Sequence, residues 1–385
     1  MTALPGPDAT APVTTTPTPT PTTVTVDHAR LHAATAAFLA ALGVPGARAR
    51  LAAEALVHGD LTGMDAHGLF NLGRLYHPLL ASGRAGPAAE PETLNDLGAC
   101  VLVDHRRALG LWAAAESMDL AVERARRHGV GLVSVRGATH LGCAGFHAAR
   151  AAEAGLLGLV ASNCGGQRIA GPPGGRPALL GTNPLSVAAP ALPGRPFVLD
   201  MSTTVVPTGR VRVAAATGRT VPAGWLEDAH GGTVTDPAAF DQGRARLRWL
   251  GGTPETGAHK GFGLGLAVEL LAGLLSGSAV GPAPEALAGD GRPHGTDDDI
   301  GLLLLAIDPD LVRADPGAFA EASGSAFATV LDCPPLDEER PVRYPGWWEA
   351  ERAAERRAHG VPLPVALHHE LTALGLDLPA LEARR

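Results

Sequence analysis

The sequence is poor in cysteine, and this bounds its compartment and chemistry. Cys100, Cys143, Cys164 and Cys333 are scattered over 385 residues with no CxxC pair. That spacing fits neither a disulfide framework nor a cysteine zinc site, and the expected setting is a reduced cytoplasm. No apolar run reaches 18 residues, and the N-terminus has no basic start followed by a hydrophobic stretch. Neither a membrane span nor a secretory signal is therefore expected. Basic residues number 31 against 39 acidic, the formal charge is −8, and there is no basic stripe to meet phosphates, which argues against nucleic acid as a partner. GxSxG, HExxH and P-loop motifs are missing, as is a GxGxxG turn after a strand. Gly261 and Gly263 come closest, but Leu266 stands where the third glycine belongs. If a dinucleotide binds, it binds by something other than the ordinary Rossmann turn.

What is present is enough apolar material for a large core: hydrophobic residues make up 45% of the chain. The first 26 residues are dominated by Thr and Pro and read as a disordered tail. Asp27 can cap a helix running to about Leu42, and a second helix follows the Gly43–Gly46 break. These lead through GDLTGMDAHGLFNLGRLY to an apolar run at 100–103 and a long helix at about 111–128. From 130 the pattern alternates strand, helix, strand, as in an α/β domain. Residues 209–257 read as loop-rich, 260–275 as a long apolar helix, 300–307 as a buried strand, and the remainder as helical.

The stretch 130–204 holds three strand-like runs, at 131–135, 156–162 and 196–201. Each ends in polar residues. These are His140, then Ser162 and Asn163, then Asp200, Met201 and Ser202, with Gly181, Thr182 and Asn183 in a turn between the last two strands. Ligands in α/β sheets gather at the carboxyl ends of strands, so these residues describe one site. A histidine among them suits proton transfer, because imidazole titrates near neutral pH. His67, in Ala66-His67-Gly68, sits where a helix ends in a sharp turn. Just beyond it, Arg74 can hold a carboxylate bidentately, with Asn71 and Tyr76 beside it. Lys260 opens the long apolar helix, where its charge adds to the helix dipole and an anion is the natural ligand. His294 with Asp297, Asp298 and Asp299 lacks EF-hand spacing and reads as a solvated loop; no metal site is expected.

GTNP at 181–184, DMST at 200–203, KGFGL at 260–264 and the two histidine-glycine segments stand in one order and spacing. Together they resemble the malate/L-lactate dehydrogenase family of non-Rossmann oxidoreductases, over about residues 26–378. The resemblance implies an α/β fold, with a mixed-sheet cofactor-binding domain and a helical domain built from both ends of the chain. It implies boundaries at 1–26 for the tail, 27–128 for the N-terminal helical part, 129–281 for the cofactor domain and 282–385 for the return strand and last helices. It assigns proton transfer to His140 or His67. It assigns cofactor contacts to Ser162, Asn163, Gly181, Thr182, Asn183, Asp200, Met201, Ser202 and Lys260. It also implies a homodimer. Where the pattern carries a serine before the first histidine, this chain has Ala66; where it often carries arginine four residues after, this chain has Asn71. These departures lie on the substrate side.

The expected activity is hydride transfer between NAD or NADP and a small 2-hydroxy acid, malate- or lactate-like. Three alternatives stay open: an NADPH-dependent reductase of a cyclic 2-imino acid, a metal-dependent hydrolase or lyase using His67, His140 and Asp200, and a catalytically silent ligand-binding relative.

Overall fold

The computed structural model describes residues 23–288, 295–296 and 298–381. The chain begins with a short strand, β1 (Thr23–Val26), followed by α1 (His28–Ala41) and α2 (Gly46–Thr62). Asp27 caps α1 by accepting the Arg30 N–H at 2.9 Å. A single 3-10 turn (Asp65–His67), a π-helical turn (Leu72–Tyr76) and α3 (His77–Ala81) complete the N-terminal part. Next come β2 (Glu92–Asp96), β3 (Cys100–Ala108), α4 (Gly110–His128), β4 (Val130–Ala138), α5 (Ala144–Glu153), β5 (Leu157–Ser162), β6 (Leu185–Leu192) and β7 (Arg195–Met201). After α6 (Thr208–Ala216), the strands β8 (Leu226–Glu227), β9 (Thr233–Val234) and β10 (Arg246–Leu247) form a small separate sheet, with α7 (Ala238–Asp241) between the last two. The long apolar helix α8 (Ala258–Val268) runs directly into a π-helical segment (Glu269–Leu274). The chain closes with β11 (Ile300–Ile307), α9 (Pro309–Val312), α10 (Ala318–Leu331), α11 (Trp347–His359), β12 (Val361–Pro364) and α12 (Val365–Ala373).

The main sheet has seven strands in the order β2-β3-β4-β11-β5-β6-β7. Only β3 and β4 run parallel; the other pairs are antiparallel. β11 lies at its centre, threaded between β4 and β5. Its sequence, Ile-Gly-Leu-Leu-Leu-Leu-Ala-Ile, has no polar alternation because both faces are covered. An antiparallel strand wedged there breaks the parallel order on which a dinucleotide-binding Rossmann sheet depends. The registers Ala138↔Ile300, Leu302↔Ser162, Ala161↔Leu185 and Leu185↔Met201 bring the ends of β4, β5 and β7 and the start of β6 to one edge. The turn Gly181–Pro184 arrives at that edge because β6 runs antiparallel to β5.

Two cores share α4. One packs α1, α2 and the near face of α4 against Ala353, Val361, Leu363, Leu367 and Leu371 from the other end of the chain. The other packs α4 and α5 onto the sheet. The helical part is thus built from both termini, and β1 pairs with β12 to close it. This corrects the expected tail: residues 23–26 form a strand, because Val24 and Val26 supply apolar side chains to a ladder that the C-terminal end completes. Residues 1–22 lie outside those described. The loop reading of 209–257 is also corrected, since a third small core gathers Val206, Val211, Leu226, Phe240 and Leu247 there. Strands of two residues carry too little periodicity to be seen in sequence.

Candidate active site

The His67 turn is assembled from α2 outward. α2 stops at Gly63, whose φ of 80° ends the helix in a left-handed cap. The buried Asp60 carboxyl accepts the Leu69 N–H at 2.8 Å, folding the turn back on the helix. Gly68 is required there, because a Cβ would stand 2.6 Å from the Asp60 carboxyl carbon. Arg356, from α11, reaches both the Asp60 carbonyl and the Asp65 carboxylate. Asn71 then does two things. Its Nδ2 donates to the Ala66 carbonyl at 2.8 Å, and its Oδ1 accepts from Arg74 at 2.8 Å. Asn71 therefore aims the guanidinium, which also lies 5.5 Å from the Phe70 ring centre.

His140 follows the end of β4. The π-helical turn buries Tyr76 completely and brings its hydroxyl 2.8 Å from His140 Nδ1. The Gly142 N–H points at the same nitrogen from 3.1 Å. Nε2 is the ring nitrogen left for a ligand. The His67 and His140 rings stack with centroids 5.9 Å apart and planes 10° from parallel. Burial is the main force on both: it pulls His67 down to about 4 and His140 to about 3, with Arg74 adding to each and His67 to His140. Both imidazoles are neutral at neutral pH.

These groups open into one cavity of about 1110 Å³. Its lining includes His67, Asn71, Arg74 and His140 on one side, and Ser162, Asn163, Thr182, Asp200, Met201 and Ser202 on the other. Asp200 holds the start of α5 by accepting the Gly145 N–H at 2.7 Å, and burial raises its carboxyl to about 6. Arg210 and Arg219 also line the cavity, and among the described residues neither is ion-paired with an acid.

Four expected site residues stand elsewhere. Tyr76 lies behind His140 rather than in the cavity lining. Asn183 is fully buried, with a strained φ of 38°, and Gly181 packs against Cys164. Lys260 is exposed and absent from the cavity lining; its side chain lies over Gly257, on the outer side of the helix start. Of the glycines of KGFGL, Gly261 packs against Leu250, where a Cβ would collide with the carbonyl oxygen, while Gly263 has nothing within 4 Å; beyond the motif, a Cβ at Gly265 would stand 2.8 Å from the Trp249 ring. Of the acidic loop, His294 and Asp297 lie outside the described residues, and Asp298 pairs with Arg84 at 3.0 Å. No group of three His, Cys, Asp or Glu among the described residues is arranged to hold a metal, so His67, His140 and Asp200 do not form a ligand set. The sequence reading missed the buried Glu269. Its signal was there, as the sole charged residue between 261 and 284.

Residues 26–372 match the malate/L-lactate dehydrogenase family. This chain belongs to that family. It is 30% identical over 343 residues to hydroxycarboxylate dehydrogenase B of Escherichia coli K12, covering 88% of this chain and 90% of that one. It is 33% identical over 343 residues to the (2R)-3-sulfolactate dehydrogenase (NADP(+)) of Chromohalobacter salexigens, covering 89% and 95%. The malate dehydrogenase of Pyrococcus horikoshii is 38% identical over 240 residues, a match spanning 62% of this chain and 65% of that relative. Among solved structures, malate dehydrogenase from Entamoeba histolytica superposes with a TM-score of 0.84 at 28% identity, covering 91% of this chain and 97% of that one. The superposition shows that this chain shares its fold with that malate dehydrogenase.

Proposed function

We propose that this protein transfers a hydride between NAD or NADP and a small 2-hydroxy acid or its 2-oxo acid. The observation that carries the reading is the pairing of two neutral, stacked imidazoles with Arg74 in one cavity. The cavity suits a dinucleotide on chemical grounds: polar side chains at the strand ends, and the cations Arg210 and Arg219, which no acid among the described residues pairs, for phosphates. When bound, the nicotinamide ring supplies or accepts the hydride.

The chain's own residues do the rest. Arg74, aimed by Asn71, receives the substrate carboxylate. In oxidation, the neutral His140 takes the hydroxyl proton at Nε2; this uses the tautomer whose Nδ1–H donates to the Tyr76 oxygen, in which the bond from the Gly142 N–H to Nδ1 is given up. In reduction, the imidazolium returns that proton to the oxo oxygen. A pKa near 3 makes a weak base, and substrate binding corrects this. A carboxylate on Arg74 cancels the guanidinium's effect and adds a negative charge, both of which favour the protonated ring. His67, stacked on His140, orients the substrate from the other side. Ser162, Asn163, Thr182, Asp200, Met201 and Ser202 form the wall for the nicotinamide end.

The protein works as a homodimer in the cytoplasm on this reading. The outer side of α8 and the π-helical segment carries Leu264, Leu266, Leu270, Leu271, Leu274 and Leu275, 37–57% exposed and with no charge among them. The inner side is lined by Gly261, Gly265, Val268 and Ala272. A helix apolar on both sides belongs between two bodies, and an uncharged face is self-complementary, so a second copy of the chain is the partner it fits. Four free cysteines suit a reducing compartment, and no helix among the described residues is long and apolar enough to cross a membrane.

The test is a panel of pyruvate, oxaloacetate, sulfopyruvate and a cyclic 2-imino acid, each with NADH and NADPH, followed at the reduced-nicotinamide absorbance. Turnover of a 2-oxo acid is expected. Turnover of the imine alone would replace the substrate class. Cofactor binding without turnover of any of the four would mark a silent relative.

A further inference from the structure

Glu269 is the charged residue that the apolar helix would be expected to avoid. It is 3% exposed, and burial pushes its carboxyl up from the ordinary value. Burying a carboxylate is costly unless its oxygens are met by donors. Here three donors meet them. Oε1 accepts the Gly281 N–H at 2.9 Å and Asn163 Nδ2 at 3.3 Å, and Oε2 accepts Asn183 Nδ2 at 2.7 Å.

Asn163 belongs to the cofactor wall, and Asn183 is buried directly behind it. Asn163 lines the cavity, and its Oδ1 accepts the N–H groups of Gly165 and Gly301 at 3.1 and 3.0 Å. Asn183 holds its left-handed backbone between Thr182 and Pro184, both of which line the cavity. Its Nδ2 also donates to the Gly265 carbonyl of α8 at 2.9 Å. The helix fits this closely, since a Cβ at Gly273 would stand 2.5 Å from Asn163 Nδ2. One carboxylate thus fixes both asparagines to the segment that carries the exposed leucines. At Glu269 the helix changes to π-helical spacing, and the leucine that follows it, Leu270, is 57% exposed.

We propose that Glu269 is a positioning residue that ties the cofactor wall to the leucine face of its own helix, so that pairing of two chains sets the cofactor site. The proposal rests on the nicotinamide-dependent, dimeric reading above. When a second copy covers the leucines, the helix is pressed onto the sheet and Asn163 and Asn183 are held. When the face is bare, nothing holds the helix from outside, and the wall loosens.

Full-length protein is titrated first with NADH and NADPH by the fluorescence of the bound reduced nicotinamide. Failure of the wild type to bind either would end the nicotinamide reading itself, before any variant is made, and this proposal with it. Glu269→Ala is expected to raise the cofactor Kd about tenfold or more, from the loss of charge-assisted bonds. Its KM for cofactor should rise more than kcat falls, with the substrate KM little changed. Glu269→Gln should fall between, because its amide keeps an oxygen for Gly281 and Asn163 but sets an NH₂ against Asn183 Nδ2. A folded Glu269→Ala protein with the wild-type cofactor Kd would overturn the role. The second arm leaves Glu269 intact: Leu270→Asp with Leu274→Asp, weighed by light scattering. The expected result is a monomer with a cofactor Kd raised to a similar degree. A monomeric wild type, or a monomeric variant with unchanged cofactor Kd, would refute the coupling. Because the leucine variant alters exposed residues alone, it decides the matter even where Glu269→Ala does not fold.

Discussion

Replacing Tyr76 by Phe probes the proton path with the smallest possible change. The ring is fully buried, so its packing stays while one oxygen leaves. That oxygen lies 2.8 Å from His140 Nδ1. Without it, Nδ1–H has no acceptor when the ring takes the substrate proton, and the Gly142 N–H then favours the tautomer in which Nε2 is already protonated. A bond that strengthens as the imidazole becomes charged is worth about 1–3 kcal/mol. This corresponds to a loss of about 5- to 150-fold in kcat/KM for oxidation. The loss should appear in kcat, since the bond strengthens in the transition state, with KM for the acid and Kd for the cofactor nearly unchanged. The assay is initial-rate kinetics in both directions from pH 6 to 9 (roughly the window in which imidazole chemistry is read), with thermal unfolding as the control for folding. A Tyr76→Phe enzyme with wild-type kcat in both directions would show that Nδ1 needs no partner and would refute the assignment of His140 as the proton-transfer group.

The two histidines are separated by replacing each with Ala. His140→Ala is expected to lower turnover by about 10²–10⁴-fold while sparing cofactor Kd, whereas His67→Ala should act more on substrate KM; the reverse pattern in steady-state kinetics would exchange their roles. Asp60 gives a stability prediction. Burial raises its carboxyl to about 8, with Asp65 also raising it and the Leu69 N–H and Arg356 opposing. The folded state therefore holds a proton that the unfolded state releases from about pH 4 upward. Its contribution is fullest below about pH 4 and is lost as pH rises towards 8. Asp60→Asn keeps an oxygen for Leu69 and removes this titration, so the stability of wild type relative to Asp60→Asn should fall between those pH values in denaturant melts. Parallel curves would show that the carboxyl titrates alike in both states.

Local pattern made much of this legible. Asp27 announced a helix start, the apolar stripe of α4 announced its length, and the uniform run at 300–307 announced a strand buried on both faces. The polar strand ends at His140, Ser162 and Asp200 were visible because strands that stop at one sheet edge deliver their next residues to one place. Asn71 and Arg74 were legible as a pair, but not that the first aims the second. Lys260 was legible as a cation at a helix start, but not that this start stands exposed and outside the cavity lining. Gly181 and Asn183 were found as a motif, but not that Asn183 is buried and Gly181 packs against Cys164.

The sequence by itself determined the longer helices and strands, the family and the set of groups available for chemistry, because helix caps, apolar periods and motif spacing are local properties of the chain. The tertiary structure alone decided which groups meet. The placement of β11 between β4 and β5, the pairing of β1 with β12 and the join of Glu269 to Asn163 and Asn183 link residues far apart in the chain. Such contacts form only when loop closure is offset by packing of the whole, and no local pattern records them.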